Sequence, residues 1–184
     1  MQEDATTRDK LVTTAARLFR QQGYHGTGLA AILAGAGVPK GSLYHPFPQG
    51  KADLARAAVD LTAAELVRIT GEAFAGAENW QGGATTFCHK MARLFDILDS
   101  ADACPISGLM FEGPEAGDFR AHAAAAFERI IAAAAAEGVR LGLPRAAARD
   151  AAETLLMSFQ GGWTLARLRR DSGVLRGLPA RLFP

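Results

Sequence analysis

Apolar side chains recur at three- and four-residue steps over most of the chain, the spacing of one-sided helices and not the alternation of half-buried strands. From about Thr7 to Gln22, Leu11, Val12, Ala15, Leu18 and Phe19 share one face, and Gly23 ends the run. Thr27 and Gly28 offer cap chemistry for a short second helix, Leu29 to about Ala36, whose apolar face is Leu29, Ile32 and Leu33; Gly37 makes the next turn. Pro39 suits the first turn of a third helix, where a missing N–H costs little, and Gly41-Ser42-Leu43-Tyr44-His45 follow before Pro46 and Pro48 stop it after barely two turns. A longer fourth helix begins near Lys51 and runs through Leu54, Ala58 and Leu61 to about Phe74, and the stretch from Gly76 to Asn79 marks a boundary. Beyond it the pattern predicts a helix from about Ala84 to Asp99, a loop and short helix around Cys104-Pro105 to Gly113, and two long helices at about Gly117 to Glu137 and Pro144 to Arg170. Residues from Gly173 to Pro184 read as a frayed end.

Composition narrows this picture. The 184 residues are 49% hydrophobic and 8% aromatic, with alanine abundant, so helix propensity dominates and an all-α chain follows. Lys+Arg 20 against Asp+Glu 19 give a net charge of +1, so any surface for nucleic acid must be local. Cys88 and Cys104 sit in no CxxC pair and near no His-x3-His, which argues against a disulfide framework or a zinc finger and fits a reducing cytoplasm. The polar start MQEDATTRDK lacks the apolar run of a secretory signal, and no stretch of about 18 apolar residues escapes charge, so no membrane span is expected.

Two short helices joined by a tight glycine turn and stacked on an amphipathic helix form the arrangement that places a second helix in the DNA major groove. The segment from Leu18 to Leu54, LFRQQGYHGTGLAAILAGAGVPKGSLYHPFPQGKADL, resembles the N-terminal segment of the TetR/AcrR family of bacterial transcriptional regulators. The resemblance rests on Phe19, Gly23-Tyr24, Thr27, Ile32, Ala36-Gly37-Val38, Lys40-Gly41, Leu43-Tyr44, Phe47 and Lys51 at matched spacing. SLYH, the QGK turn and Cys104-Pro105-Ile106 before an Ala-rich helix resemble the LmrA/YxaF branch.

Independently of the family, Lys40, Gly41, Ser42, Tyr44 and His45 give the third helix donors of several lengths, with Lys40 and Ser42 as base-reading candidates. The resemblance implies that Tyr44 and Lys51 hold backbone phosphates, with Thr27 or the start of the second helix adding a further contact. Where the family has Tyr-x-His-Phe, this chain has Tyr44-His45-Pro46-Phe47, so a phosphate-contacting histidine is replaced by a residue without a donor. The competing interpretation is a plain three-helix packing unit with Lys40 and Lys51 solvated and Tyr44 in the core.

The resemblance further implies an N-terminal three-helix helix-turn-helix domain over residues 1–52 and a helical ligand-binding and dimerisation domain over 53–184. Candidates to line a pocket for a small apolar or aromatic inducer are Phe87, Met91, Phe95, Met110, Phe111, Phe159 and Trp163, set against the ordinary alternative that each is core. His89 and His122 are candidates to orient a polar group of the ligand. In the last long helix Ala152, Leu155, Phe159, Trp163 and Ala166 share a face, with Gly161-Gly162 permitting close approach, and with the Ala121 to Ala136 tract they predict a homodimer through the last two long helices, the alternative being an intramolecular core. Such a dimer reads a palindromic operator. No P-loop, G-x-S-x-G or HExxH is present, so no catalytic, metal or cofactor site is expected. The alternatives are a helical ligand-binding dimer with weakened DNA binding, for which Pro46 is the clue, and an uncharacterised helical enzyme.

Overall fold

The computed structural model describes residues 6–98, 113–114 and 117–184, and the described residues contain helices, turns and no strand. The expected short helix around Cys104-Pro105, and with it Met110 and Phe111, lies outside them. Helix α1, Thr7–Gly26, opens on a capping box: the Thr6 hydroxyl accepts from the Asp9 N–H at 3.1 Å and the Asp9 carboxylate accepts from the Thr6 N–H at 3.3 Å. Its helical dihedrals break at Gly23, φ 72° and ψ 170°, where the sequence predicts a stop. Helix α2, Leu29–Ala36, ends on Gly37 in the left-handed region, φ 63°, and Val38 N–H closes back on Leu33 O at 3.1 Å. The expected third helix is shorter than its two turns. A 3₁₀ turn, Lys40–Ser42, passes into hydrogen-bonded turns ending at Phe47, because Pro46 has no N–H to carry the ladder onward.

Four longer helices follow among the described residues: α3 (Lys51–Phe74), α4 (Trp80–Ile97), α5 (Gly117–Arg140) and α6 (Arg145–Arg169). Helix α4 starts four residues earlier than the apolar pattern indicates, since the Asn79 side chain accepts from the Gly82 N–H at 2.9 Å and so caps the first turn. The end of the chain is not frayed. It forms α7 (Gly173–Arg176) and α8 (Leu178–Leu182), which bury Val174, Leu175 and Leu178 and pack on α4 and α6.

The chain divides into two compact units, one drawn from residues 1–63 and 105–126, the other from 64–104 and 127–184. In the first, Leu11, Ala15, Phe19, Ile32, Leu43, Leu54 and Ala58 are fully buried. Arg56 of α3 forms ion pairs with Asp53 at 3.3 Å and with Asp118 of α5, and His122 Nε2 lies 3.2 Å from Asp60 and 3.3 Å from the Arg56 carbonyl. In the second, Arg149 of α6 pairs with Glu128 of α5 at 2.8 Å and with Glu153 at 2.7 Å. Arg140 donates to the Phe74 carbonyl at 2.7 Å, satisfying a carbonyl at the C-terminal end of α3.

Candidate nucleic-acid interface

The exposed turn after α2 is held from beneath by two apolar anchors. Leu43 is fully buried and Phe47 nearly so, while Lys40, Gly41, Tyr44 and His45 stand exposed and Ser42 is half-buried. Backbone bonds fix the turn: Ser42 N–H to Pro39 O at 3.0 Å, Leu43 N–H to Lys40 O at 3.3 Å, and Phe47 N–H to Leu43 O at 3.0 Å. Five of the predicted DNA-binding residues thus lie together on one rigid, solvent-facing turn. Tyr44, half exposed at 50%, is not the core residue of the plain-packing alternative.

Thr27 is a correction. Its side chain is fully buried and its hydroxyl is within hydrogen-bond distance of Gly23 O at 2.8 Å and Leu18 O at 3.2 Å, so it locks the corner between α1 and α2 and does not face a phosphate. The other half of that expectation keeps its geometry. Gly28 heads α2 without a side-chain cap, and the first helical bond is Ile32 N–H to Gly28 O, so the amides of Leu29, Ala30 and Ala31 have no partner within the helix.

Lys51, the first residue of α3, places its Nζ 4.2 Å from the centroid of the Tyr24 ring. Partial burial pushes its ammonium pKa below the usual value. Tyr24 is braced by Phe19 at 5.6 Å and by His25 edge-on at 5.3 Å, and burial raises its hydroxyl pKa against the opposing pull of Arg56. Just before Lys51, Gly50 takes φ 60°, and Gln49 N–H donates to Asp53 at 2.8 Å, which occupies the carboxylate closest in sequence to the lysine. The aromatic support under Lys51 had no sequence signal, because the two residues come from separate elements.

In the second unit Phe87, Met91 and Phe95 of α4 and Phe159 and Trp163 of α6 are all buried. Their rings meet edge-to-face: Phe87 with Phe159 at 5.7 Å, Phe159 with Trp163 at 5.7 Å, and Phe95 with Trp163 at 5.2 Å. The adjoining apolar recess, lined by Thr70, Phe87, Ile130, Ala152, Leu155 and Leu156 among others, has about 10 Å³ of open space, the room of one water. Of the predicted pocket residues among those described, Phe87 alone lines it. The indole N–H of Trp163 is buried without an acceptor among the described residues. His89 is exposed, and His122, in the first unit, is bonded to Asp60 and the Arg56 carbonyl. Burial pushes the Cys88 thiol up to about 11, which leaves it protonated and unreactive at neutral pH.

The α6 face assigned to a partner is core instead: Ala152, Leu155, Phe159, Trp163 and Ala166 are buried within the protomer. Gly162 belongs to that core, since a Cβ there would come within 2.9 Å of Leu178, whereas Gly161 faces open space. The opposite face is exposed and apolar, with Met157 at 66%, Leu165 at 45% and Leu168 at 79%. On α5, Ala132, Ala136 and Val139 are exposed at matching intervals.

An exposed, donor-rich turn set on a three-helix base, joined to a separate helical unit, defines a helix-turn-helix DNA-binding protein. The family model for bacterial regulatory proteins of the tetR family matches residues 11–58, and that for the LmrA/YxaF-like transcriptional regulator C-terminal domain matches residues 82–180. The uncharacterized HTH-type transcriptional regulator Rv0196 of Mycobacterium tuberculosis is 31% identical over 170 residues, 89% of this chain and 86% of that relative. YxaF of Bacillus subtilis, also an uncharacterized HTH-type regulator, is 39% identical over 106 residues; the match takes in 58% of this chain and 56% of YxaF. The crystal structure of reduced NemR from E. coli superposes with a TM-score of 0.80 at 23% identity, covering 96% of this chain and 95% of that one. The chain belongs to the TetR family, in its LmrA/YxaF-like branch, and is a DNA-binding transcriptional regulator, not an enzyme.

Proposed function

We propose that the protein is a cytoplasmic repressor, released from a palindromic operator by a small apolar or aromatic inducer, with residues 1–52 reading DNA and 53–184 holding the ligand and the dimer interface. The observation that carries it is the single exposed turn bearing Lys40, Gly41, Ser42, Tyr44 and His45 above buried Leu43 and Phe47. Lys40 and Ser42 read base edges, while Tyr44, His45, Lys51 and the first amides of α2 hold phosphates.

The inducer enters among Phe87, Met91, Phe95, Phe159 and Trp163. Two features support this: the rings of Phe87, Phe95, Phe159 and Trp163 meet one another, and the Trp163 indole N–H lacks, among the described residues, an acceptor that a ligand would supply. Two copies pair through the exposed faces of α5 and α6, which carry Val139, Met157, Leu165 and Leu168.

Release tests the proposal. A panel of neutral aromatic compounds is added to the protein bound to labelled duplex from the DNA flanking its own gene. At least one compound frees the duplex, and Trp163→Phe shifts the concentration required while leaving ligand-free DNA affinity unchanged. By linkage, DNA weakens that compound's binding by the factor with which the compound weakens DNA. Release by none, or equal compound affinity with and without DNA, contradicts an inducer mechanism.

A further inference from the structure

Lys51 stands in an environment that disfavours an ammonium. It is the first residue of α3, where the helix dipole presents its positive end. It is also partly buried, which lowers its pKa through desolvation. Among the described residues no carboxylate pairs with it: Asp53, the acid nearest in sequence, is taken up by the Gln49 N–H at 2.8 Å and by Arg56 at 3.3 Å. What the ammonium does have is the Tyr24 ring, whose centroid lies 4.2 Å from Nζ. That ring is fixed in turn by Phe19, fully buried, and by His25, and it follows the break at Gly23.

We infer that Tyr24 is a positioning residue for DNA binding: its ring holds the Lys51 ammonium in place for a backbone phosphate, which supplies the anion that the free protein lacks. The inference rests on the assignment of Lys51 to a phosphate. A flexible lysine gives up rotamer entropy when it meets DNA, and one already parked on a ring has lost part of it beforehand. The interaction needs the ring face and not the hydroxyl, so phenylalanine serves and leucine does not.

The test is a double-mutant cycle read by anisotropy of labelled duplex from the DNA flanking the gene, titrated at several salt concentrations. Phosphate contacts register there whether or not the sequence is the operator. Lys51→Ala is expected to weaken binding and to flatten the plot of log affinity against log salt by about 0.9 per protomer, the signature of one lost phosphate. Tyr24→Leu weakens binding roughly two- to fivefold, the worth of an exposed cation–π contact, and flattens the slope in the same sense. Tyr24→Phe behaves as wild type, and Tyr24→Leu has no further effect once Lys51 is alanine. A general loss of folding would lower affinity in both backgrounds and leave the slope alone. Full additivity of Tyr24→Leu and Lys51→Ala, or a Tyr24→Phe variant as weak as Tyr24→Leu, overturns the inference while the phosphate assignment of Lys51 stands. An unchanged slope in Lys51→Ala removes the phosphate assignment, and the inference with it.

Discussion

Adjacent glycines in α4 should respond to alanine with opposite signs. A Cβ built at Gly83 lies 2.1, 2.3 and 2.7 Å from three atoms of the Phe74 ring, where ordinary contact begins at 3.4 Å. The ring must recede by more than 1 Å, yet Phe74 is fully buried and its other neighbours include Trp80, with ring centroids 5.0 Å apart. Overpacking of this severity belongs at the upper end of its usual range, about 3 kcal/mol. Alanine returns about 1 kcal/mol of helix propensity, so Gly83→Ala loses about 2 kcal/mol net, or roughly 4–8 °C in Tm for a chain of this size. At Gly82 the added Cβ meets only Asn79 Oδ1, at an ordinary 3.5 Å, and the capping bond from the Gly82 N–H survives. Gly82→Ala therefore gains about 0.5–1 kcal/mol. Equilibrium urea unfolding, followed by tryptophan fluorescence at one fixed protein concentration, measures both, with the midpoint moving and the slope constant. A Gly83→Ala midpoint equal to or above wild type would refute the steric argument.

Three further outcomes follow from the structure. Pro46→His restores a donor beside His45, and should raise DNA affinity and steepen its salt dependence; an unchanged affinity places position 46 away from the phosphates. In a Cys104→Ser background, Cys88 of the native chain should resist a thiolate-selective reagent at about pH 8 and react faster only as pH climbs toward 11, because the thiolate is the reactive form and burial has raised its pKa. Rapid native-state labelling at pH 8 contradicts that burial. Met157→Glu with Leu168→Glu puts charges on exposed apolar positions of α6 and should halve the mass measured by light scattering while the helical CD signal persists; an unchanged mass rules this face out of the dimer.

Sequence patterning marked the first two helices closely because their ends are written in single residues: Gly23 and Gly37 both take positive φ, which other residues adopt only at a cost. It failed where tertiary packing overrides local cues. The apolar pattern starts α4 only at about Ala84 and so leaves Gly82-Gly83 outside it, but Asn79 caps the helix before them and Gly83 is the small residue against which Phe74 lies. The terminal GVLRGLPARLF reads as frayed, yet Val174, Leu175 and Leu178 find a buried surface on α4 and α6. On α6 the aromatic face was legible as a face but not as core or interface, since periodicity states which side is apolar and not what covers it. At the exposed turn after α2, residues contiguous in sequence were visible at once, whereas burial of the Thr27 side chain and the Tyr24–Lys51 contact depend on how helices cross.

The most direct test of the account is fluorescence anisotropy of the purified protein on labelled duplex from the DNA flanking its own gene, across a salt series and with excess unrelated duplex as competitor. The account predicts saturable binding in or below the range of about 10⁻⁸ M that resists the competitor, weakens steeply with salt, and is lost with Lys40→Ala and Ser42→Ala combined. Weak binding that unrelated duplex removes at equal concentration, with no dependence on Lys40 and Ser42, would contradict it.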